Sequence, residues 1–300
     1  MSTVVALCGK SLVRTGERGT AAEQLANLRR AVTGLRSLLA AAGDLVITHG
    51  NGPQVGNELL RQERAAAEAP PLPLWLAVAQ TQAEIGALIA AELRTALAGR
   101  EVACLLTHVT VAPDDPAFDR PTKPIGPFYS AEQAELLERE RGWALAPDAN
   151  RGHRRVVPSP EPLEIVELDA IRRLVEAGTI TIACGGGGIP VARHEGRLSG
   201  VDAVIDKDRA SALLARELEA ERLIILTEVP AVYRSFGDED QEEIRELARK
   251  DAEALLPALP EGSMRPKIEA ALGFAGETLI TSFDALADAL AGTAGTRVRP

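Results

Sequence analysis

Six short runs rich in β-branched and aliphatic residues, Thr3 to Leu7, Leu45 to Thr48, Val102 to Leu106, Thr179 to Ala183, Leu223 to Thr227 and Thr278 to Thr281, are separated by longer helical patterns. No other feature constrains the chain as much. A strand followed by a helical crossover and another strand leads to parallel pairing, so the alternation predicts an α/β fold with a mainly parallel sheet. The first crossover shows the helical period directly. Leu25, Leu28, Val32, Leu35 and Leu39 recur at three and four residues and fall on one face, which should cover the sheet. Leu74 to Ala91 is apolar nearly all round, with Gln80, Thr81, Gln82 and Glu84 as its few polar members, and is expected deep in the core or at a subunit interface. A charged helix is expected from Glu242 to Leu256, carrying Lys250 on its surface.

Nine of the nineteen prolines fall between Pro113 and Pro162, around one helical pattern from Ser130 to Arg141. Proline fixes φ and supplies no ladder donor, so this segment should not be continuous sheet and reads as a small, stiff excursion from the α/β body. It is either a rigid surface loop or a lid over a site. Lys123, in Pro121-Thr122-Lys123-Pro124, favours the lid, because a cation held between prolines is pre-positioned.

Three hundred residues allow one large domain or two lobes. The 33 cations and 43 anions leave a net charge of −10, which opposes the phosphate backbone of nucleic acid and the anionic face of membranes. With two Trp, two Tyr and five Phe, base-stacking platforms are scarce as well. Cys8, Cys104 and Cys184 are odd in number and lack metal-ligand spacing, so neither a disulfide framework nor a zinc ribbon is expected. Lacking a secretory leader pattern and an apolar run of membrane length, the chain is expected in the cytoplasm.

The cations are unequal: 28 are Arg and five are Lys, at positions 10, 123, 207, 250 and 267. All but Lys250 sit beside Gly, Pro or Asp in irregular segments. A compact, mobile ammonium that follows a transferring phosphoryl group is a role for Lys. The glycine turns around these lysines point the same way. Cys8-Gly9-Lys10-Ser11 ends the first strand; it is not a P-loop, because the glycine that motif needs is replaced by Val4. His49-Gly50-Asn51-Gly52-Pro53-Gln54-Val55-Gly56 follows the second strand and can offer backbone N–H groups to an anion; its third glycine is one residue late for a dinucleotide fingerprint. Cys184 is followed by Gly185, Gly186, Gly187 and Gly188, a run whose entropic cost suggests a ligand against the backbone. Asp206-Lys207-Asp208 and Met264-Arg265-Pro266-Lys267 each place a lysine at a helix start, where the dipole disfavours it unless an anion such as phosphate is near. Together these turns and lysines describe a phosphoryl-transfer site, where positioning and charge neutralisation dominate. No Ser-His-Asp order and no metal-type histidine pairing is present, so hydrolase readings are weak.

These residues, with Pro-Thr-Lys-Pro-Ile-Gly-Pro-Phe over 121–128 and Arg155 to Pro160, make the chain resemble the carbamate kinases of the amino acid kinase superfamily over nearly its whole length. The resemblance implies a three-layer αβα sandwich forming a single domain over 1–300. An acceptor lobe would occupy about 1–220 with a protruding subdomain at about 113–162, and a nucleotide lobe about 221–300. It implies a homodimer that interconverts carbamoyl phosphate plus ADP and ATP plus carbamate, with Mg²⁺ carried by the nucleotide. By the same resemblance Lys123, Lys207 and Lys267 surround the transferring phosphoryl group and Asp208 orients lysines. Gly9, Lys10, Ser11, Gly50, Asn51 and Gly52 would hold the acceptor. Gly185, Gly186, Gly187, Asp206, Thr227, Tyr233, Met264 and Lys267 would face the nucleotide. The first motif departs from the family's Gly-Gly-Asn-Ala: Cys8 adds a side chain where backbone should meet phosphate, and Lys10 puts a charge in place of an amide. Glu228 and Pro230 depart from a common Thr-Asp-Val-Asp. The departures leave open a different small acid as acceptor, or a silent nucleotide-binding regulator.

Overall fold

The computed structural model describes residues 2–9, 12–14, 16–41, 43–147, 152–259, 263–274 and 276–299. The strand Ser2–Leu7 explains the architecture by its alternation: Val4 and Ala6 enter one apolar cluster with Val46, Leu213, Ile225 and Ile268, while Val5 and Leu7 enter another with Leu28, Leu35, Ile47 and Ile85. A strand buried on both faces must be covered by helices on both, which is why it reads as an unbroken apolar run. Ala21–Ala41 and Leu74–Ala96 cover one face; Leu168–Glu176, Lys207–Glu217 and Arg265–Phe274 cover the other. The result is three layers.

In the sheet Ser2–Leu7 lies between Asp44–His49 and Arg222–Thr227, parallel to both. Ile180–Ile182 and Val102–Cys104 continue one side, and Glu277–Ser282, Thr296–Arg299 and Glu246–Ala248 the other, making eight strands. Its pairings are parallel except that of Glu277–Ser282 with Thr296–Arg299. All six expected strands are present.

Helix Ala21–Ala41 buries Leu28, Val32, Leu35 and Leu39 as its period requires. Each is worth about 1.5–3 kcal/mol over exposure. Its start is fixed by a reciprocal cap, in which the Glu23 N–H donates to the Thr20 hydroxyl (3.3 Å) and the Thr20 N–H to the Glu23 carboxylate (2.8 Å). Helix Leu74–Ala96 is long and apolar enough to cross a membrane by length and composition, although Gln80, Thr81, Gln82 and Glu84 interrupt its apolar run. About half of it is buried in the fold, with Ile85, Ile89 and Leu93 against the sheet and Val78 in a separate cluster with Val55, Ile125 and Val157. It is a core helix with an apolar outer face.

Two expectations need correction. The proline-rich segment does hold a sheet, of three antiparallel strands in the order Lys123–Tyr129, His153–Val157, Leu145–Pro147. Pro124, Pro127 and Pro147 all lie on its two edge strands, where a missing donor costs no ladder bond, and the central strand has none. The helix expected from Glu242 begins only at Arg249; Glu242–Ile244 and Glu246–Ala248 are strands. There the buried residues are Ile244 and Leu247, each preceded by an exposed carboxylate, Glu243 and Glu246, and the pull of the sheet overrides the helix propensity of a Glu-rich run.

Candidate active site

The chain leaves Ser2–Leu7 for strands on one side and later returns to its other side as Arg222–Thr227, so a crevice opens beyond the C-terminal ends of these strands. A cavity of about 350 Å³ lies there. Strand ends supply Cys8, Gly9, the Gly50–Asn51–Gly52–Pro53 turn, Gly186, and Thr227, Glu228 and Val229. Helix starts supply Asp206, Lys207, Asp208, Met264, Pro266 and Lys267, and the proline-rich excursion supplies Lys123, Pro124 and Arg154.

Three lysines meet two carboxylates in this cavity. Asp208 binds Lys207 through one oxygen and Lys267, at 2.9 Å, through the other. Asp206 binds Lys123 through one oxygen; its other oxygen caps the Lys207–Glu217 helix, accepting from the N–H groups of Asp208 (2.8 Å) and Arg209 (3.4 Å). The conflict between a lysine and the helix dipole is therefore met by protein carboxylates. Lys207, Asp208 and Lys267 are no more than 8% exposed, so water screens little of their attraction. Burial opposes ionisation of both aspartates, but the lysine charges outweigh it and hold both carboxyls below the ordinary range. Burial likewise works against the Lys267 ammonium, and the Asp208 charge overrides it and raises the amine. Asp206, Asp208 and Lys267 are ionised at neutral pH.

The glycines act by close approach. Gly9 and Gly50 bring two strand-end turns together: a Cβ on Gly50 would lie 2.9 Å from the Gly9 nitrogen and 3.3 Å from the Lys207 side chain. The run from Gly185 to Gly188 has a reason other than the expected ligand. Added Cβ atoms would lie 2.2 Å from His49 Nε2, 2.4 Å from Asn51 Nδ2, 2.3 Å from the Ile205 carbonyl oxygen and 2.3 Å from Val109, in that order. Gly186, Gly187 and Gly188 also hold φ of 68°, 89° and 91°. Protein packing and backbone shape require them, and of the run Gly186 alone lines the cavity.

The structure thus gathers Gly9, Gly50, Asn51, Gly52, Lys123, Gly186, Asp206, Lys207, Asp208, Thr227, Tyr233, Met264 and Lys267 around one cavity. Asn51 is buried and donates to the Thr81 hydroxyl (3.0 Å). Gly185 and Gly187 stand behind the wall; Lys10 and Ser11 lie outside the described residues. Sequence reasoning missed three residues. Phe236 lies 5.7 Å from Tyr233 and lines the same end of the cavity, and Arg154 enters from the excursion. His49 is fully buried behind the Gly50 turn, its Nδ1 3.3 Å from the Gly50 carbonyl oxygen and its Nε2 without a partner. Burial, with a contribution from Lys207 and against that hydrogen bond, pushes the imidazole down to about 4, so it is neutral. Its place at the end of a strand, next to Gly50, was the one available signal.

Among the described residues no group of three His, Cys, Asp or Glu side chains converges as a metal centre. Both aspartates of the cavity are engaged by lysines, so the donor set does not suit a resident cation.

The model of the amino acid kinase family matches residues 1–281. A carbamate kinase of Halobacterium salinarum is 45% identical over 304 residues, covering 99% of this chain and 98% of that protein. A carbamate kinase from Giardia lamblia bound to citric acid is similar in structure at a TM-score of 0.93 and 36% identity, covering 99% of this chain and 98% of that one. The Giardia lamblia carbamate kinase bound to AMP-PNP gives 0.89 at the same identity and coverage.

Proposed function

The chain belongs to the amino acid kinase family as a carbamate kinase-like phosphotransferase, and from that premise we propose that it interconverts carbamoyl phosphate plus ADP and ATP plus carbamate. The observation that carries this reading is the cluster of half-buried Lys123 and buried Lys207 and Lys267 on Asp206 and Asp208 at the crevice of the sheet. In the ATP-forming direction an oxygen of the ADP β-phosphate attacks phosphorus and carbamate departs as an anion. Neither partner needs to gain or lose a proton, so the work is positioning and charge stabilisation. Two ammoniums tethered to one carboxylate can follow the phosphoryl group while Asp208 fixes their separation. Lys123 arrives from the excursion, so its approach depends on that segment's placement. Backbone N–H groups of the Gly9 and Gly50 turns complete the cradle.

The nucleotide takes the end lined by Thr227, Tyr233, Phe236 and Met264, within the lobe at about 221–300, and the acceptor takes the end beneath the excursion at about 113–162. Mg²⁺ enters on the nucleotide phosphates as part of the substrate. Two copies pair through the outer face of Leu74–Ala96, where Leu76, Ala83, Ala87 and Ala91 leave apolar surface accessible. Free Cys8, Cys104 and Cys184 support a reducing, cytoplasmic setting.

The test is kcat/KM for carbamoyl phosphate against that for acetyl phosphate, each with ADP and Mg²⁺. Preference for carbamoyl phosphate by tenfold or more supports the reading; the opposite order favours a different small acid. That second reading has one observation behind it, the Cys8 side chain in the cavity wall. Restoring the family residues through Cys8→Gly with Lys10→Asn would then raise kcat/KM for carbamoyl phosphate about tenfold or more. An unchanged value removes the case for another acceptor.

A further inference from the structure

The lysines account for the tetrahedral phosphoryl group, but carbamoyl phosphate has a second, planar end, which leaves as carbamate. We propose that Arg154 recognises that end: its guanidinium binds the carboxylate of carbamate, and the carbonyl and bridging oxygens of carbamoyl phosphate, and so restricts acceptors to small planar carboxylic acids. This rests on the reading above and adds the group that selects the acceptor class.

Arg154 is 7% exposed and lines the cavity. It stands on His153–Val157, the central strand of the excursion's sheet, next to the strand that carries Lys123. Two contacts fix its plane: Nε–H donates to the Gly126 carbonyl at 3.0 Å, and the guanidinium carbon lies 5.2 Å from the centroid of the Phe128 ring. Strand alternation separates it from its neighbour. Arg155 points to the other face, 3.5 Å from Glu63 and 4.5 Å from the Trp143 ring, where its role is packing. A rigid planar fork matches two coplanar oxygens, whereas an ammonium is a point charge without that angular preference. Pro53, Pro124 and Val204, which also line the cavity, leave apolar walls rather than further polar partners for a larger acceptor. The excursion thus delivers both an ammonium for the phosphoryl group and a guanidinium for the acceptor.

The experiment is steady-state kinetics in the ATP-forming direction on the full chain, with wild type, Arg154→Lys, Arg154→Gln and Arg154→Ala. The proposal expects KM for carbamoyl phosphate to rise about tenfold or more in all three, KM for ADP to stay within about twofold, and added guanidinium chloride to restore part of the Arg154→Ala activity. Arg154→Lys keeps the charge and the aliphatic stem, so it separates geometry from stability. An unchanged KM for carbamoyl phosphate in Arg154→Lys, or equal rises in both KM values without guanidinium rescue, overturns the proposal and leaves the catalysed reaction standing. A wild type that makes no ATP from carbamoyl phosphate overturns both.

Discussion

Asp208 carries a heavy electrostatic load, because its two oxygens hold two buried lysines and the residue itself is 2% exposed. Asp208→Asn keeps the shape and removes the charge, leaving Lys207 and Lys267 repelling each other in a desolvated pocket. Breaking a buried pair of this kind costs about 3–5 kcal/mol, so denaturant unfolding should show a loss of that order, partly recovered by saturating nucleotide. A loss below about 1 kcal/mol would mean the cluster is wetter than its burial implies. His49 supplies a pH signature. Its folded-state value is depressed to about 4 against the ordinary 6.5, so the unfolded chain takes up a proton that the native protein refuses. Its contribution is therefore present above about pH 6.5 and fades as pH falls toward 4, a loss of about 3 kcal/mol over that window. Stability measured from pH 7 to 4.5 should fall more steeply for wild type than for His49→Asn, and parallel curves would contradict the assignment. At this scale the sequence revealed the lysines, because five among 33 cations stand out. Arg154 was hidden among 28 arginines, and His49 looked like part of a glycine turn.

The excursion is tied to the body at several points, and these decide how it can move. Gly56 on the helix Gly52–Ala65 presses so closely on Gly126 that a Cβ would fall 1.9 Å from the Gly126 Cα. Lys123 reaches Asp206, Arg209 reaches Glu161 at 3.1 Å, and Arg141 and Arg155 share Glu63. Gly56→Ala should therefore push the Lys123 strand outward, costing about 1–3 kcal/mol of stability and lowering kcat more than KM for ADP. Wild-type stability and turnover in that variant would show the contact to be slack. Saturation with substrates should raise hydrogen-exchange protection over 123–129 and 153–157, since the site needs both strands held against it; no difference would remove the lid. Elements were most legible where burial is two-sided: Ser2–Leu7, Asp44–His49, Ile180–Ile182, Arg222–Thr227 and Glu277–Ser282 each read as an apolar run. They were not where burial is one-sided and brief. Glu246–Ala248 buries only Leu247 and Thr296–Arg299 carries Arg297 and Arg299, so neither carries a pattern long enough to override its charges.

For the whole molecule, the sheet order places four strand ends and the helix starts at Lys207 and Arg265 around one crevice, so residues more than 250 positions apart share a cavity. The motifs anticipated most of that gathering, since the turns at Gly9, Gly50 and Gly186 each follow a parallel strand and the Lys207 and Lys267 motifs each open a helix. The glycine run was the exception: local sequence showed that something must lie close to it, but only the fold shows that this is His49, Asn51, Ile205 and Val109. Whether the lysine cluster is the phosphoryl-transfer centre is tested most directly by kcat for ATP formation from carbamoyl phosphate and ADP in Lys207→Ala and Lys123→Ala beside wild type. Removing one preorganised charge from a site of developing charge should lower kcat by about 100-fold or more in each, with the ADP KM less affected in Lys123→Ala. Turnover near the wild-type rate in both variants would contradict the account.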